Sequence, residues 1–190
     1  MRMHDPISPD QFASLPVQIR QEVELDCTPQ ALFAIFDDVV AWTRWLGITV
    51  DWHDKPPYAA GMSRTITTGP VRALERFTIY ENGSRMAFFF ERSTLWMVRA
   101  FAEDWRVEPI GADRCRLVWR VAIAMRWPFA PFGFLVRLGM IRMGRRGLPV
   151  LSEMASQRAD QTRAAMAEKA SVKKPESMPD ATSSGTPSGK

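Results

Sequence analysis

The segment Val71–Phe90, with the sequence VRALERFTIYENGSRMAFFF, carries the clearest local signal in the chain. Its Asn82-Gly83 dipeptide is typical of a two-residue hairpin, because a type I′ turn needs two residues that tolerate positive φ. Side chains alternate between the faces of a strand, so one face of this hairpin is apolar except for Glu75. The cross-strand partners that follow are Glu81 and Ser84, Ile79 and Met86, Phe77 and Phe88, and Glu75 and Phe90.

The ten residues before this hairpin, GMSRTITTGP, predict another strand that ends at a turn over Gly69-Pro70. A two-residue turn there places Arg64 opposite Glu75. The sequence therefore predicts a three-stranded meander whose apolar face carries one Arg–Glu pair.

Length and composition limit the class of protein. A chain of 190 residues, 46% of them hydrophobic, fits one domain with tails and has enough apolar material for a sizeable core. Seven Trp and eleven Phe either fill that core or line a cavity. The net charge of +4 is too small and too dispersed to indicate binding of nucleic acid.

The cysteines and the apolar segments indicate a cytoplasmic protein. Cys27 and Cys115 have no CxxC or metal-type spacing, so we expect free thiols in a reducing compartment. The N-terminal residues lack the apolar core of a signal peptide. The longest apolar run, Trp127–Ile141, contains Arg137 and is shorter than the roughly 20 residues that span a bilayer.

The order of elements predicts an α+β fold. Val17–Leu25 alternates between apolar and polar residues and predicts a half-buried first strand. Thr28 and Pro29 mark the start of the first of two short helices, and Gly47 marks the end of the second. Further strands are predicted at 48–53, in the meander, at 94–107 and at 114–126. An antiparallel sheet of this kind buries one face against a helix.

The sequence predicts one folded domain with an unfolded segment at each end. Residues 1–15 predict a flexible N-terminal arm, residues 16–168 the domain, and residues 169–190 a disordered tail. Helical spacing extends from about 131 to 169, but Gly144, Gly147 and Pro149 predict a break or kink within it.

Several segments match the pattern of a known superfamily. They are Asp26-Cys27-Thr28-Pro29, Ala31–Asp38, Trp42-Thr43-Arg44-Trp45, Gly61, Glu75-Arg76-Phe77 and Leu117-Val118-Trp119-Arg120. With the order of elements, they resemble the helix-grip (START-like, Bet v 1-like) fold of the SRPBCC superfamily, and in detail its polyketide cyclase/dehydrase branch of small bacterial proteins. The resemblance covers roughly Val17 to Arg158 and specifies the fold better than the function.

The resemblance implies a curved antiparallel sheet of about six to seven strands wrapped around a long C-terminal helix, with a deep apolar cavity between them. Members of the superfamily bind lipids, sterols, quinones, polyketides or plant hormones, and some are aromatase/cyclases. The family has no universal catalytic motif that could be assigned to residues of this chain.

Arg64 and Glu75 are the candidate polar groups of such a cavity. An unpaired carboxylate among phenylalanines has a raised pKa and can act as a general acid or base, which makes Glu75 the candidate catalytic residue. Arg64 opposite it would instead keep it ionised and could orient a carbonyl or carboxylate of a ligand. The alternative is a structural ion pair, or a reversed strand face that exposes both groups.

Two further polar groups are weaker candidates. Arg99 and Glu103 lie on an otherwise apolar strand face, and a bulge that exposes both is the alternative. Asp51, His53 and Asp54 could contribute to a metal site, but a solvated strand end is the simpler explanation. No His/Cys cluster with zinc spacing is present, so neither a metal nor a cofactor is predicted.

The predicted cavity wall is mostly aromatic, with contributions from the sheet and the last helix. The tryptophans that either line the cavity or fill the core are Trp42, Trp45, Trp52, Trp96, Trp105 and Trp119. The predicted ligand-binding residues are Arg64, Glu75, Phe77, Phe88, Phe90, Arg99, Phe101, Trp105, Trp119, Ile123, Phe134 and Leu138.

A basic segment gives the last helix a second candidate role. Arg137, Arg142, Arg145 and Arg146 lie within or just after a run of Phe and Leu residues. A basic, apolar helix can make a peripheral contact with an anionic membrane surface. A solvated helix face is the alternative.

We therefore expect a protein that binds a hydrophobic small molecule, such as a lipid, polyketide or quinone, in the cavity, with Arg64, Glu75 and Arg99 as polar anchors. The alternative is a metal-independent cyclase or dehydratase, in which Glu75, Tyr58 or Tyr80 moves protons, although the hairpin parity turns Tyr80 away from the cavity. A membrane-surface or protein-interaction module is a third hypothesis. The oligomeric state is not predicted.

Overall fold

The computed structural model describes residues 1–172, so most of the predicted tail, residues 173–190, lies outside the described residues. In chain order its strands and α-helices are β1 (Arg2–Met3), β2 (Val17–Leu25), α1 (Pro29–Asp37), α2 (Val39–Leu46), β3 (Thr49–Trp52), β4 (Ser63–Thr68), β5 (Val71–Glu81), β6 (Arg85–Ser93), β7 (Val98–Pro109), β8 (Cys115–Met125) and α3 (Gly133–Val172). Short 3₁₀ helices lie at Pro9–Ser14 and Ala130–Phe132. The antiparallel strands are ordered β2-β8-β7-β6-β5-β4-β3, and β1 pairs with β6. The predicted α+β helix-grip architecture is confirmed.

The first long strand and the two short helices form where the sequence predicts them. The Thr28 hydroxyl accepts a hydrogen bond from the Ala31 amide at 3.2 Å and caps α1, with Pro29 at its first position. Gly47 ends α2 in the left-handed conformation, with φ of 66°, which favours glycine over other residues.

Turn chemistry sets the register at the centre of the sheet. Arg64 of β4 faces Glu75 of β5, which in turn faces Phe90 of β6, as predicted. The hairpin tip differs from the prediction, because Glu81 pairs with Arg85 and not with Ser84.

A β-bulge at Thr78 corrects the predicted orientation of Tyr80. Thr78 has no partner in β6, so the residues beyond it change faces: Tyr80 pairs with Met86, and Ile79 pairs with Ala87. Tyr80 therefore faces inward. Its ring packs against Phe33, Trp52, Tyr58 and Phe77, and its hydroxyl donates a hydrogen bond to Asp37.

The N-terminal segment packs on the outer face of the sheet, so the expectation of a flexible arm over residues 1–15 is wrong. β1 pairs with β6, and His4 Nε2 lies 2.7 Å from Ser93 Oγ. Phe12 is buried in a small second core. The alanines in that core are Ala100, Ala102, Ala122 and Ala124. Their small side chains leave room for the ring, and these outward-facing alanines are the signal that the sequence analysis missed.

α3 is continuous through the predicted break, with Pro149 inside it. The two glycines there allow close packing. A Cβ at Gly147 would lie 2.5 Å from Leu46 Cδ2 and 2.8 Å from Trp45 Nε1, and one at Gly144 would collide with the side chain of Gln21. The helix therefore loses some intrinsic propensity but approaches α2 and β2 closely.

Substitution of the α3 glycines tests this packing. In Gly147→Ala the new methyl must displace Leu46 and Trp45, so we expect the free energy of unfolding to fall by about 1–3 kcal/mol. Gly139→Ala is the matched control, because a Cβ there meets no atom within 4 Å. The free energy of unfolding of this control should rise by up to about 1 kcal/mol, because alanine has a higher helix propensity than glycine. Urea denaturation followed by tryptophan fluorescence measures both, and a Gly147→Ala variant as stable as the control would contradict the packing.

Candidate functional site

An apolar cavity of about 190 Å³ lies between the inner face of the sheet and the helices α2 and α3. Strands β4–β8 form its floor, Trp42 and Leu46 of α2 form one side, and Met140 and Met143 of α3 lie across from the sheet. Most of the wall is aliphatic or aromatic, and the charged side chains that reach it are Arg64, Glu75 and Glu103.

The structure brings many of the predicted site residues to this cavity. Those that line it are Arg64, Glu75, Phe88, Phe90, Phe101, Trp105 and Trp119. Phe77 and Ile123 are buried in the adjoining core but do not line the cavity. Contact of these residues with a ligand stays a prediction.

The predicted contribution of α3 was assigned to the wrong helix face. Phe134 and Leu138 lie at the surface, 64% and 41% exposed, and Met140 and Met143 line the cavity in their place. The glycines explain the difference, because Gly144 and Gly147 must face the protein and thereby set the rotation of the helix. The inner face therefore runs through Met140, Gly144 and Gly147 at helical spacing.

A strand irregularity separates Arg99 from Glu103. The register of β7 against β8 shifts between Val98 and Ala100, which turns Arg99 to the outer surface. There it donates a hydrogen bond to Asp5 at 2.8 Å, so it is not a cavity anchor. Glu103 stays on the inner face and lines the cavity. The alternative that exposes both residues is thus correct for Arg99 and wrong for Glu103.

Arg64 and Glu75 form an ion pair that is almost completely removed from solvent. Arg64 Nε donates to Glu75 Oε2 at 2.5 Å, and the two side chains are 1% and 4% exposed. The guanidinium carbon lies 4.4 Å from the ring centre of Trp42 and 5.2 Å from that of Phe88, and such cation–π contacts offset part of the lost hydration. Burial raises the pKa of Glu75, and the adjacent Arg64 charge opposes that rise.

Glu103 is the second buried carboxyl group. Its Oε2 accepts hydrogen bonds from the indole nitrogens of Trp105 and Trp119, both at 2.8 Å. Burial, and then the negative charge of Glu75, raises the pKa of Glu103 to about 8. At neutral pH Glu103 is therefore mainly protonated.

The polar floor of the cavity thus holds one positive charge, one negative charge and one neutral acid. Among residues 1–172, Arg64 Nη1 is a buried donor without a hydrogen-bond partner. Unpaired buried donors are costly, so this cavity-lining arginine suits an acceptor supplied by a ligand or by water.

Two of the residues considered for a metal site, His53 and Asp54, form hydrogen bonds within the protein. His53 lies 2.9 Å from Thr65 Oγ1 through Nε2 and 3.2 Å from Ser63 Oγ through Nδ1, and Asp54 accepts the amide of Ser63. Within residues 1–172, no three His, Cys, Asp or Glu side chains are grouped closely enough to hold a metal ion.

Comparison with known proteins identifies the family. The family model described as polyketide cyclase / dehydrase and lipid transport matches residues 16–151, well over half of the chain. This chain belongs to that family. The assignment confirms the resemblance to the SRPBCC superfamily that the sequence analysis found.

One protein similar in sequence and two similar in structure illustrate the comparison. The uncharacterized protein Rv2574 of Mycobacterium tuberculosis is 37% identical over 125 residues, which cover 64% of this chain and 74% of that protein. The Zhui aromatase/cyclase from Streptomyces sp. R1128 superposes with a TM-score of 0.59 at 13% identity, covering 78% of this chain and 97% of that one. A START superfamily protein from Mycobacterium smegmatis superposes with a TM-score of 0.56 at 12% identity. The superposition covers 76% of this chain and 98% of that one. The two structural similarities show the fold alone.

The protonated state of Glu103 predicts a pH dependence of stability. The folded pKa of about 8 exceeds the ordinary value of 4.5, so the folded protein holds a proton that the unfolded chain releases. The contribution of Glu103 to the free energy of unfolding is fully present below about pH 4.5, where both states are protonated. It is lost progressively as the pH rises from there to the folded pKa of about 8. Glu103→Gln mimics the protonated acid and should not show this loss.

We therefore expect Glu103→Gln to gain stability relative to the wild type between pH 5 and 8, by a few kcal/mol, since one pKa unit corresponds to about 1.4 kcal/mol. Urea denaturation of both proteins across this pH range measures the difference. Glu24→Gln is the control, because Glu24 is on the surface and makes its ion pairs in solvent. Parallel pH profiles for wild type and Glu103→Gln would show that Glu103 is ionised in the folded protein.

Proposed function

We propose that this protein binds a neutral, hydrophobic small molecule that carries a carbonyl oxygen, and that the oxygen accepts a hydrogen bond from Arg64 Nη1. The observation that carries the proposal is that Arg64 lines an apolar cavity while its buried Nη1 has no hydrogen-bond partner. Burial of the apolar part supplies most of the affinity, and the single strong donor orients the polar end.

The charges of the floor favour a neutral ligand over an acid. Glu75 already balances Arg64, and Glu103 is mainly protonated. A ligand carboxylate would therefore add an uncompensated negative charge beside Glu75 and inside an apolar cavity, which is costly. A ketone, ester or quinone oxygen accepts the same hydrogen bond without that cost.

The cavity volume limits the ligand that enters without rearrangement. At about 190 Å³ it is smaller than the roughly 300–1,000 Å³ of most ligand pockets. It is close to the roughly 150 Å³ of an engineered apolar cavity that holds one benzene ring. A ligand of one or two rings fits, and a longer lipid or polyketide requires movement of Met140 and Met143, whose unbranched side chains adapt readily.

A second candidate function is catalysis of a cyclase or dehydratase type. Its support is Glu103, because an acid with a pKa near 8 in a cavity wall can donate a proton to a ligand oxygen at neutral pH. In this hypothesis Glu103 takes the role first considered for Glu75, which is engaged with Arg64. The family description, polyketide cyclase / dehydrase and lipid transport, also supports it.

The expected cytoplasmic location is also part of this proposal. Its support is that Cys27 and Cys115 are free, buried thiols whose sulfur atoms lie 4.0 Å apart.

Binding of matched probes tests the proposed function. Acetylnaphthalene and naphthoate share a ring system and differ in the neutral or charged acceptor, and naphthalene lacks an acceptor. Isothermal titration calorimetry at neutral pH should give tighter binding for the ketone than for either other probe, by about 10-fold or more, since a hydrogen bond from a charged donor contributes about 1.5–3 kcal/mol.

The variant that separates the polar anchor from the apolar cavity is Arg64→Met combined with Glu75→Leu. Removal of both partners avoids a stranded buried charge, so the fold should persist. The ketone should lose its advantage while naphthalene binding is retained. Tighter binding of naphthoate, or an unchanged preference for the ketone in the double variant, would contradict the proposal.

A further inference from the structure

A patch of exposed apolar side chains surrounds the start of α3. Trp127 is 86% exposed and Phe134 is 64% exposed. The other large apolar residues exposed here are Trp96, Phe132, Leu135 and Leu138. The Trp96 ring contacts Phe129 at 4.7 Å between ring centres, which joins the β6–β7 loop to the segment before the helix. Clusters of this kind at a protein surface mark interaction sites.

The same part of the chain carries concentrated positive charge. No Asp or Glu occurs between Asp113 and Glu153, although the whole chain has a net charge of only +4. Arg142, Arg145 and Arg146 are exposed, and within residues 1–172 they form no ion pair. Unpaired arginines on an apolar surface are available to an anionic partner.

The apolar and the basic residues share one helix face. Phe134, Leu138 and Arg142 follow each other at intervals of four residues, and Arg145 follows Leu138 by seven, so all four lie on the same side of α3. Aromatic residues at one end of a face and arginines along it are typical of helices that lie in a membrane interface.

We propose that this face, defined by Trp127, Phe134, Leu138, Arg142 and Arg145, docks the protein on an anionic lipid bilayer. Trp127 and Phe134 enter the interface, and the arginines contact lipid phosphates and carboxylates. Among residues 1–172 no helix has the length and apolar character required to cross a membrane.

The helix α3 separates this face from the cavity. Met140 and Met143 line the cavity from the inner side of the helix, and the exposed Phe134 and Leu138 lie on its outer side. The docking itself does not depend on the identity of a cavity ligand.

Vesicle flotation of the full chain tests the docking surface. The probes are phosphatidylcholine vesicles with and without phosphatidylserine, in low and in high salt. We expect binding that requires phosphatidylserine and weakens with salt. Arg142→Gln combined with Arg145→Gln should weaken binding by about 25-fold, since each arginine near an anionic surface contributes about fivefold. Trp127→Ala should weaken it by about 10-fold through lost apolar burial.

Matched controls come from exposed residues elsewhere. Val40→Ser removes an apolar side chain that is 70% exposed on α2, and Arg163→Gln removes an exposed arginine. Neither should alter vesicle binding. The proposal is overturned if the wild type does not bind anionic vesicles, or if the face variants bind as well as the controls. Light scattering that finds dimers which Trp127→Ala converts to monomers, without vesicle binding, would assign the face to a second copy of the chain and likewise overturn it.

Discussion

The buried ion pair between Arg64 and Glu75 is the interaction on which the polar floor of the cavity depends. Both groups have lost their water, so removal of either partner alone leaves an unpaired buried charge, at a cost of about 3–5 kcal/mol. Burial, and then the negative charge of Glu75, raises the pKa of Glu103 and keeps it protonated. The rings of Trp42 and Phe88 lie against the guanidinium, and its Nη1 is buried without a protein acceptor. The chemistry offered to a ligand therefore follows from where one arginine is held.

The long helix α3 serves two surfaces at once. Its inner face carries glycines where it touches β2 and α2 and methionines where it borders the cavity. Its outer face carries Phe134, Leu138 and the arginines. The close approach at Gly144 and Gly147 fixes the helix rotation, and this rotation decides which side chains reach the cavity and which reach solvent. Cavity and docking face are thus two consequences of the same packing.

The parts of the fold that depend on local chemistry could be predicted from the sequence. The cap at Thr28, the left-handed Gly47 and the turn at Gly69-Pro70 are encoded in a few neighbouring residues, and the last of these placed Arg64 opposite Glu75. Face assignments failed beyond bulges, at Tyr80 and at Arg99, because one extra residue reverses strand parity and has no clear sequence signature. The glycines in α3 predicted a break, but the helix is continuous and they allow it to pack closely. Helix propensity disfavours glycine, whereas these tertiary contacts require it.

A crystal structure of the protein as purified, at a resolution that shows ordered water and ligand atoms, tests the central claim most directly. The account predicts an acceptor atom, from a bound molecule or from water, within about 2.7–3.2 Å of Arg64 Nη1 inside an open cavity. Arg64 Nη1 donating to a protein oxygen, with the cavity filled by its own side chains, would contradict it.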